Sequence, residues 1–362
     1  MRKGLFTAAV LAGMLFLTGC TSPRDIAGEL RAAVQAGQYF YGHQDDLMYG
    51  HSWNASAEKD SSSLRSDVFS VCGSYPAVLG LDLGGIELGK GRNLDRNNFA
   101  IMRKAIRDHH ERGGIVTLSW HLRNPLTAGD SWDVSSDKVV ESILEGGAKH
   151  ELFEHWLDNV ADYILSLKDS HGKQIPVIFR PWHEHSGSWF WWGRDLCTAE
   201  QYNALWKETY DYLVTKRGIK GLLWAISPNS VGGRFEEWEE RYPGDEYVDI
   251  IGLDCYSTSR AKDEFVADVR RSLASLQAFS EAHGKILAFT ETGDEGLPHE
   301  DWWSGWLMEA GEGFPVAYVL TWRNASDRPE HFFAPFPGSP SEKDFKENFI
   351  ASGKVLMLNN ID

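Results

Sequence analysis

The sequence predicts an α/β protein built as a single-domain (β/α)8 TIM barrel. Eight short apolar runs alternate with amphipathic stretches along the chain. The runs are rich in β-branched and aromatic residues without strict polar alternation, which is typical of parallel strands buried on both faces. A doubly wound sheet would place a glycine-rich phosphate turn after its first strand, and "YGHQDD" (41–46) is not one.

The elements follow one another in the order that a barrel requires. The predicted strands are 39–44, 77–85, 114–121, 175–184, 221–229, 248–256, 285–293 and 316–324. Helices are predicted over 97–113, 153–172, 198–218 and 264–284. The third helix opens on a capping box, Thr198 followed by Gln201, and ends at Gly218. Because no repeat, low-complexity tract or linker interrupts this alternation, we expect one domain.

The first residues are typical of an exported lipoprotein. Arg2 and Lys3 precede a short apolar run that ends in "LTGC", which resembles a lipobox with Cys20 as the lipidated N-terminus. We therefore expect a signal peptide over 1–19, an anchor and short tether over 20–36, and the barrel over 37–362. The protein would be lipid-anchored in a bacterial cell envelope, on the periplasmic or outer face of the outer membrane. An ordinary cleaved signal peptide is the alternative.

Composition and charge exclude several functional classes. The formal net charge of −16 argues against nucleic-acid binding and disfavours anionic polymers, whereas neutral sugars remain open as ligands. The remaining cysteines, Cys72, Cys197 and Cys255, have no zinc-ligand spacing, so we expect no metal. One disulfide among these three cysteines is possible, and Cys255 is expected in the core. We expect a monomer without a cofactor.

Polar side chains follow nearly every predicted strand, where a barrel carries its active site. They are His43, Gln44, Asp82, His121, His183, Glu184, Asn229, Asp254, Tyr256, Glu291, Trp322 and Arg323. Glu184 ends the fourth strand and Glu291 lies in the seventh. Two carboxylates in one barrel mouth are what glycosidic bond cleavage requires. The alternative for each is a buried ion pair with Arg180 or Arg323.

The surroundings of the two glutamates predict different roles. Glu184 lies among the aromatic residues of 182–192, which would raise its pKa and suit a general acid/base. Glu291 is flanked by threonine and followed by glycine in "TETG" (290–293), which suits an ionised nucleophile.

The string "FRPWHEHSGSWFWWG" (179–193) followed by "TETG" resembles glycoside hydrolase family 26, best known for β-mannanases. "GHQ" (42–44), "SWHLRNP" (119–125), "SPN" (227–229), "DCY" (254–256) and "TWRN" (321–324) also fit this family. The chain has "HEHSG" where the family often reads "HENNG" or "HEMNG". The resemblance implies a retaining enzyme with its two carboxyl groups about 5–5.5 Å apart.

By the same resemblance, Glu184 is the acid/base and Glu291 the nucleophile of an endo-β-1,4-mannanase. The resemblance places around the reacting sugar His121, His183, Trp189, Tyr256 and Trp322. Tyr256 would donate a hydrogen bond to Glu291, Trp322 would stack on the sugar, and the two histidines would bind its 2-OH and 3-OH. Arg323 and Asp254 would bind a neighbouring sugar. Release of mannobiose from chain ends, or action on xylan or mixed-linkage glucan, are alternatives within the family.

Two hypotheses from other functional classes remain. His183 and His185 would face one side of an extended strand, so with His121 they could hold zinc or iron in a metal-dependent hydrolase. A glycan-binding lipoprotein without activity would share the acidic, tryptophan-rich character of the chain, but binding alone has no need of the glutamate pair.

Overall fold

The computed structural model describes residues 24–56, 65–328 and 330–360. The predicted signal peptide and the lipidation site Cys20 lie outside the described residues. Within the described ranges, no helix has the length and apolar character needed to cross a membrane.

Eight parallel strands close into a barrel, as the sequence predicts. They are β1 (Tyr39–Gln44), β2 (Val78–Asp82), β3 (Ile115–Ser119), β4 (Val177–Arg180), β5 (Leu222–Ile226), β6 (Ile250–Tyr256), β7 (Ile286–Gly293) and β8 (Val316–Thr321). Each strand pairs with the next, and β8 closes on β1 with Phe40 opposite Tyr318. All the C-terminal strand ends therefore open on one face, where the polar residues gather.

Helices surround this barrel. They are α1 (Ile26–Gln35), α2 (Asp67–Cys72), α3 (Phe99–Glu111), α4 (Val139–Ile143), α5 (His150–Ser166), α6 (Ala199–Tyr210), α7 (Phe235–Glu239), α8 (Lys262–Ala282), α9 (Met308–Gly311) and α10 (Glu342–Asp344). Wider π-helical turns continue α6 over Asp211–Lys216, precede α9 over Trp302–Leu307 and follow α10 over Phe345–Phe349. Two-residue strands Tyr49–Gly50 and Trp53–Asn54 form a hairpin, and Val355–Leu356 lies beside β1.

Local sequence signals account for the helix starts. The predicted capping box is present at α6, because Thr198 and Gln201 exchange side-chain and backbone hydrogen bonds. Asn98 caps α3 by accepting hydrogen bonds from two backbone N–H groups of its first turn. Both caps satisfy donors that a helix leaves free at its N-terminus.

The N-terminal end of the barrel is closed by a helix that the sequence did not predict. Residues of the expected tether form α1, whose Ile26, Leu30 and Ala33 pack on strand residues such as Ile115 and Ile178. The tether assignment is therefore wrong for residues 26–35, and the folded domain begins before residue 37. The physical reason is the spacing of these three side chains, which gives a short helix one apolar face.

The three described cysteines are free thiols, so no disulfide joins Cys72, Cys197 and Cys255. Cys255 is buried in the main core cluster, as predicted. The tryptophan-rich stretch after β4 contributes heavily to the same cluster, because Trp182, Trp191 and Trp192 are fully buried.

Candidate active site

Glu291 lies on β7 and is held by two donors. The Tyr256 hydroxyl donates to its Oε1 over 2.7 Å, and Arg180 Nη2 donates to its Oε2 over 2.5 Å. The carboxylate is only 4% exposed. A buried ionised carboxylate is tolerated when a cation and hydrogen bonds replace water, and both are present here. The hydrogen bond expected from Tyr256 is therefore found.

Arg180, the last residue of β4, joins Glu291 to a second carboxylate. Its Nη1 donates to Asp254 Oδ2 over 2.8 Å, and Asp254 also accepts from Thr290 Oγ1 over 2.6 Å. Asp254 is completely buried. Its predicted contact with a neighbouring sugar is therefore wrong, because all of its surface is taken up inside the barrel. Asp254 instead orients the guanidinium that holds Glu291.

Glu184 lies in a tight turn four residues beyond the end of β4, not on the strand. Its backbone and that of Trp182 adopt φ of +53°, the left-handed region that costs a residue with a side chain about 1 kcal/mol or more. The buried indole of Trp182 and a 2.7 Å bond from Glu184 N–H to the Ser227 carbonyl hold this turn. Such strain next to a reactive carboxyl fixes the direction in which that carboxyl points.

The environment of Glu184 favours its protonated form. Its Oε2 accepts a 2.6 Å hydrogen bond from the Trp189 indole N–H. Burial raises the pKa of Glu184 well above its usual range, and the charges of Glu291 and Asp254 raise it further, while the Trp189 bond acts in the opposite direction. The surroundings therefore favour a proton on Glu184, whereas Arg180 supplies the Glu291 carboxylate with a cationic partner.

Two histidines and an aspartate form a chain beside this pair. His121 Nδ1 donates to Asp82 Oδ2 over 2.6 Å, and its Nε2 lies 3.0 Å from Nε2 of His183. Burial opposes a charge on His121, but the Asp82 carboxylate outweighs it through its charge and hydrogen bond, so the pKa of His121 is raised. Burial lowers the pKa of His183 well below its usual value, and the charge of His121 lowers it further.

The raised pKa of His121 and the lowered pKa of His183 favour His121 Nε2 as the donor and His183 Nε2 as the acceptor of this contact. A neutral His183 that accepts at Nε2 carries its ring proton on Nδ1. That Nδ1 is buried and has no partner among the described residues. His183 itself is almost completely buried, so its contact with a sugar hydroxyl stays a prediction.

The sequence profile of glycosyl hydrolase family 26 matches residues 36–312. The chain belongs to this family. A GH26 β-mannanase from Bacteroides ovatus superposes with a TM-score of 0.87 at 45% identity, covering 92% of this chain and 94% of that one.

Two relatives extend this comparison. A mannan endo-1,4-beta-mannosidase of Bifidobacterium adolescentis is 34% identical over 88% of this chain. An enzyme of the same name from Bacillus subtilis is 30% identical over 69% of the chain and 67% of its own length. This chain spans only about a third, 34%, of the Bifidobacterium enzyme.

Aromatic side chains of this family 26 protein form the walls of the site. Trp189 is 40% exposed, and Trp322 is half-buried with its ring 6.1 Å from that of His121. Trp132, 49% exposed, stacks on His121 at 5.4 Å, and no motif in the sequence identifies this residue. Phe190 belongs to the core, although its ring edge contacts both His121 and His183.

Arg323 follows Trp322 and is fixed at the edge of the same cleft. Its Nη1 donates to the Tyr49 hydroxyl over 3.0 Å and pairs with Asp95. Tyr49 in turn donates to Asp45 over 2.7 Å. The Arg323 side chain keeps 14% of its surface exposed. Its contact with a neighbouring sugar stays a prediction.

The histidines proposed as metal ligands have separate partners. His185 is buried and shares a 2.9 Å hydrogen bond with the Tyr202 hydroxyl, whereas His183 contacts His121. Both lie in the turn after β4, so the alternation of an extended strand does not apply to them. Within the described ranges, no three or more His, Cys, Asp or Glu side chains form a cluster suited to a metal.

Proposed function

We propose that this protein is a retaining endo-β-1,4-mannanase that acts on mannan or galactomannan. The observation that carries the proposal is the unequal setting of the two glutamates. Arg180 and Tyr256 donate to the Glu291 carboxylate, whereas no cation in the described ranges pairs with Glu184, and burial favours the protonated form of Glu184. The names of the Bacteroides, Bifidobacterium and Bacillus relatives support mannan as the substrate.

The reaction then has two steps. Glu291 attacks the anomeric carbon while Glu184 gives its proton to the departing glycosidic oxygen, which leaves a glycosyl ester on Glu291. Glu184, now ionised, takes a proton from a water molecule, and that water attacks the same carbon to release Glu291. Two inversions give net retention at the anomeric centre.

Neighbouring groups assist these steps. Hydrogen bonds to the hydroxyls of the reacting sugar strengthen as positive charge develops on its ring, and the family resemblance assigns such bonds to His121 and His183. The faces of Trp322 and Trp189 stack on the CH faces of sugars.

Digestion of a glycan panel tests this proposal. Linear mannan, galactomannan, xylan and mixed-linkage β-glucan are each incubated with the protein, and product sizes are followed over time. Early oligomers of mixed length from the two mannans are expected. Mannobiose as the sole early product would show chain-end action, and no release from either mannan would contradict the proposal. Glu291→Ala serves as the control, because only a catalyst loses turnover while a glycan-binding protein keeps its binding.

We also propose that the protein is anchored to the bacterial envelope through a lipid on Cys20. The basic start, short apolar run and "LTGC" of the sequence support this. Expression in a bacterial host with radiolabelled fatty acid should label the wild type and leave Cys20→Ala unlabelled. Release of the wild type into the soluble fraction without label would contradict the anchor.

A further inference from the structure

A pocket opens beside the active site, between the loops that follow β2 and β3. It has a volume of about 190 Å³. His121 and Trp132 line it on the side of the catalytic cleft, and the loop of residues 85–94 lines the opposite side. The volume suits one sugar residue. His121 also contacts His183, so the pocket adjoins the site already described.

The lining of this pocket combines apolar and cationic surface. Leu88, Leu94 and Trp132 are three of the six large apolar side chains that are exposed in the described part of the chain. Exposed apolar side chains that lie together mark binding surfaces, whereas single ones scattered over a surface do not. A flat apolar platform of this kind is what the CH face of a sugar requires.

Three cations surround the same platform. Lys90, Arg92 and Arg123 line the pocket, and none of them forms an ion pair with a carboxylate within the described ranges. Arg92 and Arg123 donate to the backbone carbonyls of Arg96 and Ala128, which leaves their charges unneutralised.

Two carboxylates lie near these cations. Asp130 is on the rim, where it accepts the backbone N–H of Trp132. Glu87 is buried beneath the pocket and accepts the backbone N–H of Arg123, and burial raises its pKa. The three cations therefore exceed the exposed carboxylate charge in a chain whose formal net charge is −16. Such a local reversal of sign predicts an anionic group at this position.

We propose that this pocket binds a sugar residue that carries a carboxylate, as in a uronic acid attached to or within the mannan-type substrate. The proposal rests on the proposed function for the cleft that the pocket adjoins. The apolar platform would hold the ring, and Lys90, Arg92 and Arg123 would hold the carboxylate. The global charge of the protein disfavours a polyanion, so the site favours a single acidic residue on a largely neutral chain.

Paired substrates test this proposal. We would measure kcat/KM for neutral mannohexaose and for hexasaccharides with one mannuronosyl residue at either end, in 50 mM and in 500 mM NaCl. One of the acidic substrates should exceed the neutral one by about three- to tenfold at low salt, the range of one or two partly exposed ion pairs. The advantage should shrink at high salt.

Charge-reversal variants locate the effect. Lys90→Glu and Arg92→Glu should abolish the advantage of the acidic substrate, while Lys220→Glu, the same change on an exposed lysine before β5, should retain it. Equal kcat/KM for acidic and neutral substrates in the wild type, or an advantage that survives both reversals, would overturn the proposal. Failure to hydrolyse neutral mannohexaose would refute the mannanase proposal instead, and calorimetric binding of the same oligosaccharides to wild type and Lys90→Glu would then decide the pocket.

Discussion

Trp189 donates its indole N–H to Glu184 over 2.6 Å, five positions along the same loop. The bond favours the ionised form of a carboxyl group whose burial favours the protonated form. In the proposed reaction Glu184 first gives a proton and then takes one back, so this bond moderates the acidity of Glu184 in both steps. The Trp189 side chain that makes the bond is also 40% exposed.

Trp189→Phe should move the alkaline limb of the pH profile to higher pH. The general acid must be protonated, so kcat/KM on mannan falls as pH rises through the pKa of Glu184. Removing a bond that lowers this pKa raises it, and the limb follows. Trp132→Phe is the control, because Trp132 is 49% exposed against 40% for Trp189 and the indole bond to Glu184 comes from Trp189. A limb that stays in place in Trp189→Phe, or moves in both variants, would contradict this account.

Tyr256→Phe should lower kcat by about 10- to 100-fold, the effect of a hydrogen bond to a charged group worth about 1.5–3 kcal/mol. The lost hydroxyl donates to Glu291, whose orientation and ionisation it supports. Tyr163→Phe is a matched control, because it removes a buried hydroxyl with no partner among the described residues. Steady-state kinetics of both variants on mannohexaose check the prediction, and similar kcat values would refute it.

Asp254→Asn should lower kcat while leaving KM nearly unchanged. Asp254 is fully buried and acts on Glu291 through Arg180, so it has no direct contact with substrate. The variant should also lose stability, by up to about 3–5 kcal/mol for a broken buried pair. Asp344→Asn changes a buried carboxylate that bonds Ser304 and has no ion pair within the described ranges, so this variant separates lost stability from lost catalysis. A raised KM with unchanged kcat would restore the sugar-binding role for Asp254.

Asp82→Asn should reduce stability in a pH-dependent way. The pKa of His121 is raised in the folded protein. The stabilisation that His121 contributes to the pair is therefore fully present below its ordinary pKa and is lost as pH rises through the raised value. The pKa of Asp82 is lowered on balance, because His121 and several hydrogen bonds outweigh burial. The stabilisation that Asp82 contributes is therefore present above about pH 4 and is lost as pH falls through the lowered pKa.

The free energy of unfolding should accordingly differ most between wild type and Asp82→Asn near pH 5, and less at pH 9. Urea titrations at both pH values measure this difference. An equal difference at the two pH values would show that His121 is uncharged in the folded protein.

The sequence predicts the barrel well because each buried strand leaves a continuous apolar run. The two glutamates could be found for the same reason, since polar residues after such runs are conspicuous. Trp189 was identified through the family resemblance, and its contact with Glu184 follows from the turn geometry. The order of strands also predicts that Glu184 and Glu291 lie at the same end of the barrel.

The ion pair between Arg180 and Glu291 is one of the alternatives that the sequence offers, but the contact of Arg180 with Asp254 could not be predicted. Arg180 and Asp254 look like ordinary strand-end residues, and their burial depends on a three-way contact with Glu291 between β4, β6 and β7. The strand predicted to reach Glu184 ends at Arg180, because the left-handed turn is stabilised by the distant Ser227 carbonyl. Trp132 lies on a long loop whose path has no periodic signal. Helix α1 is short, and its apolar face is buried only by contact with the N-terminal end of the folded barrel.

The roles of Glu184 and Glu291 are tested most directly by azide rescue with an aryl β-mannobioside that has a good leaving group. Glu184→Ala should keep part of its activity on this substrate, gain rate with azide and release a glycosyl azide of retained β configuration. Glu291→Ala should give at most an inverted α-azide, read from the anomeric proton by NMR. A β-azide from Glu291→Ala and an α-azide from Glu184→Ala would show that the two roles are reversed.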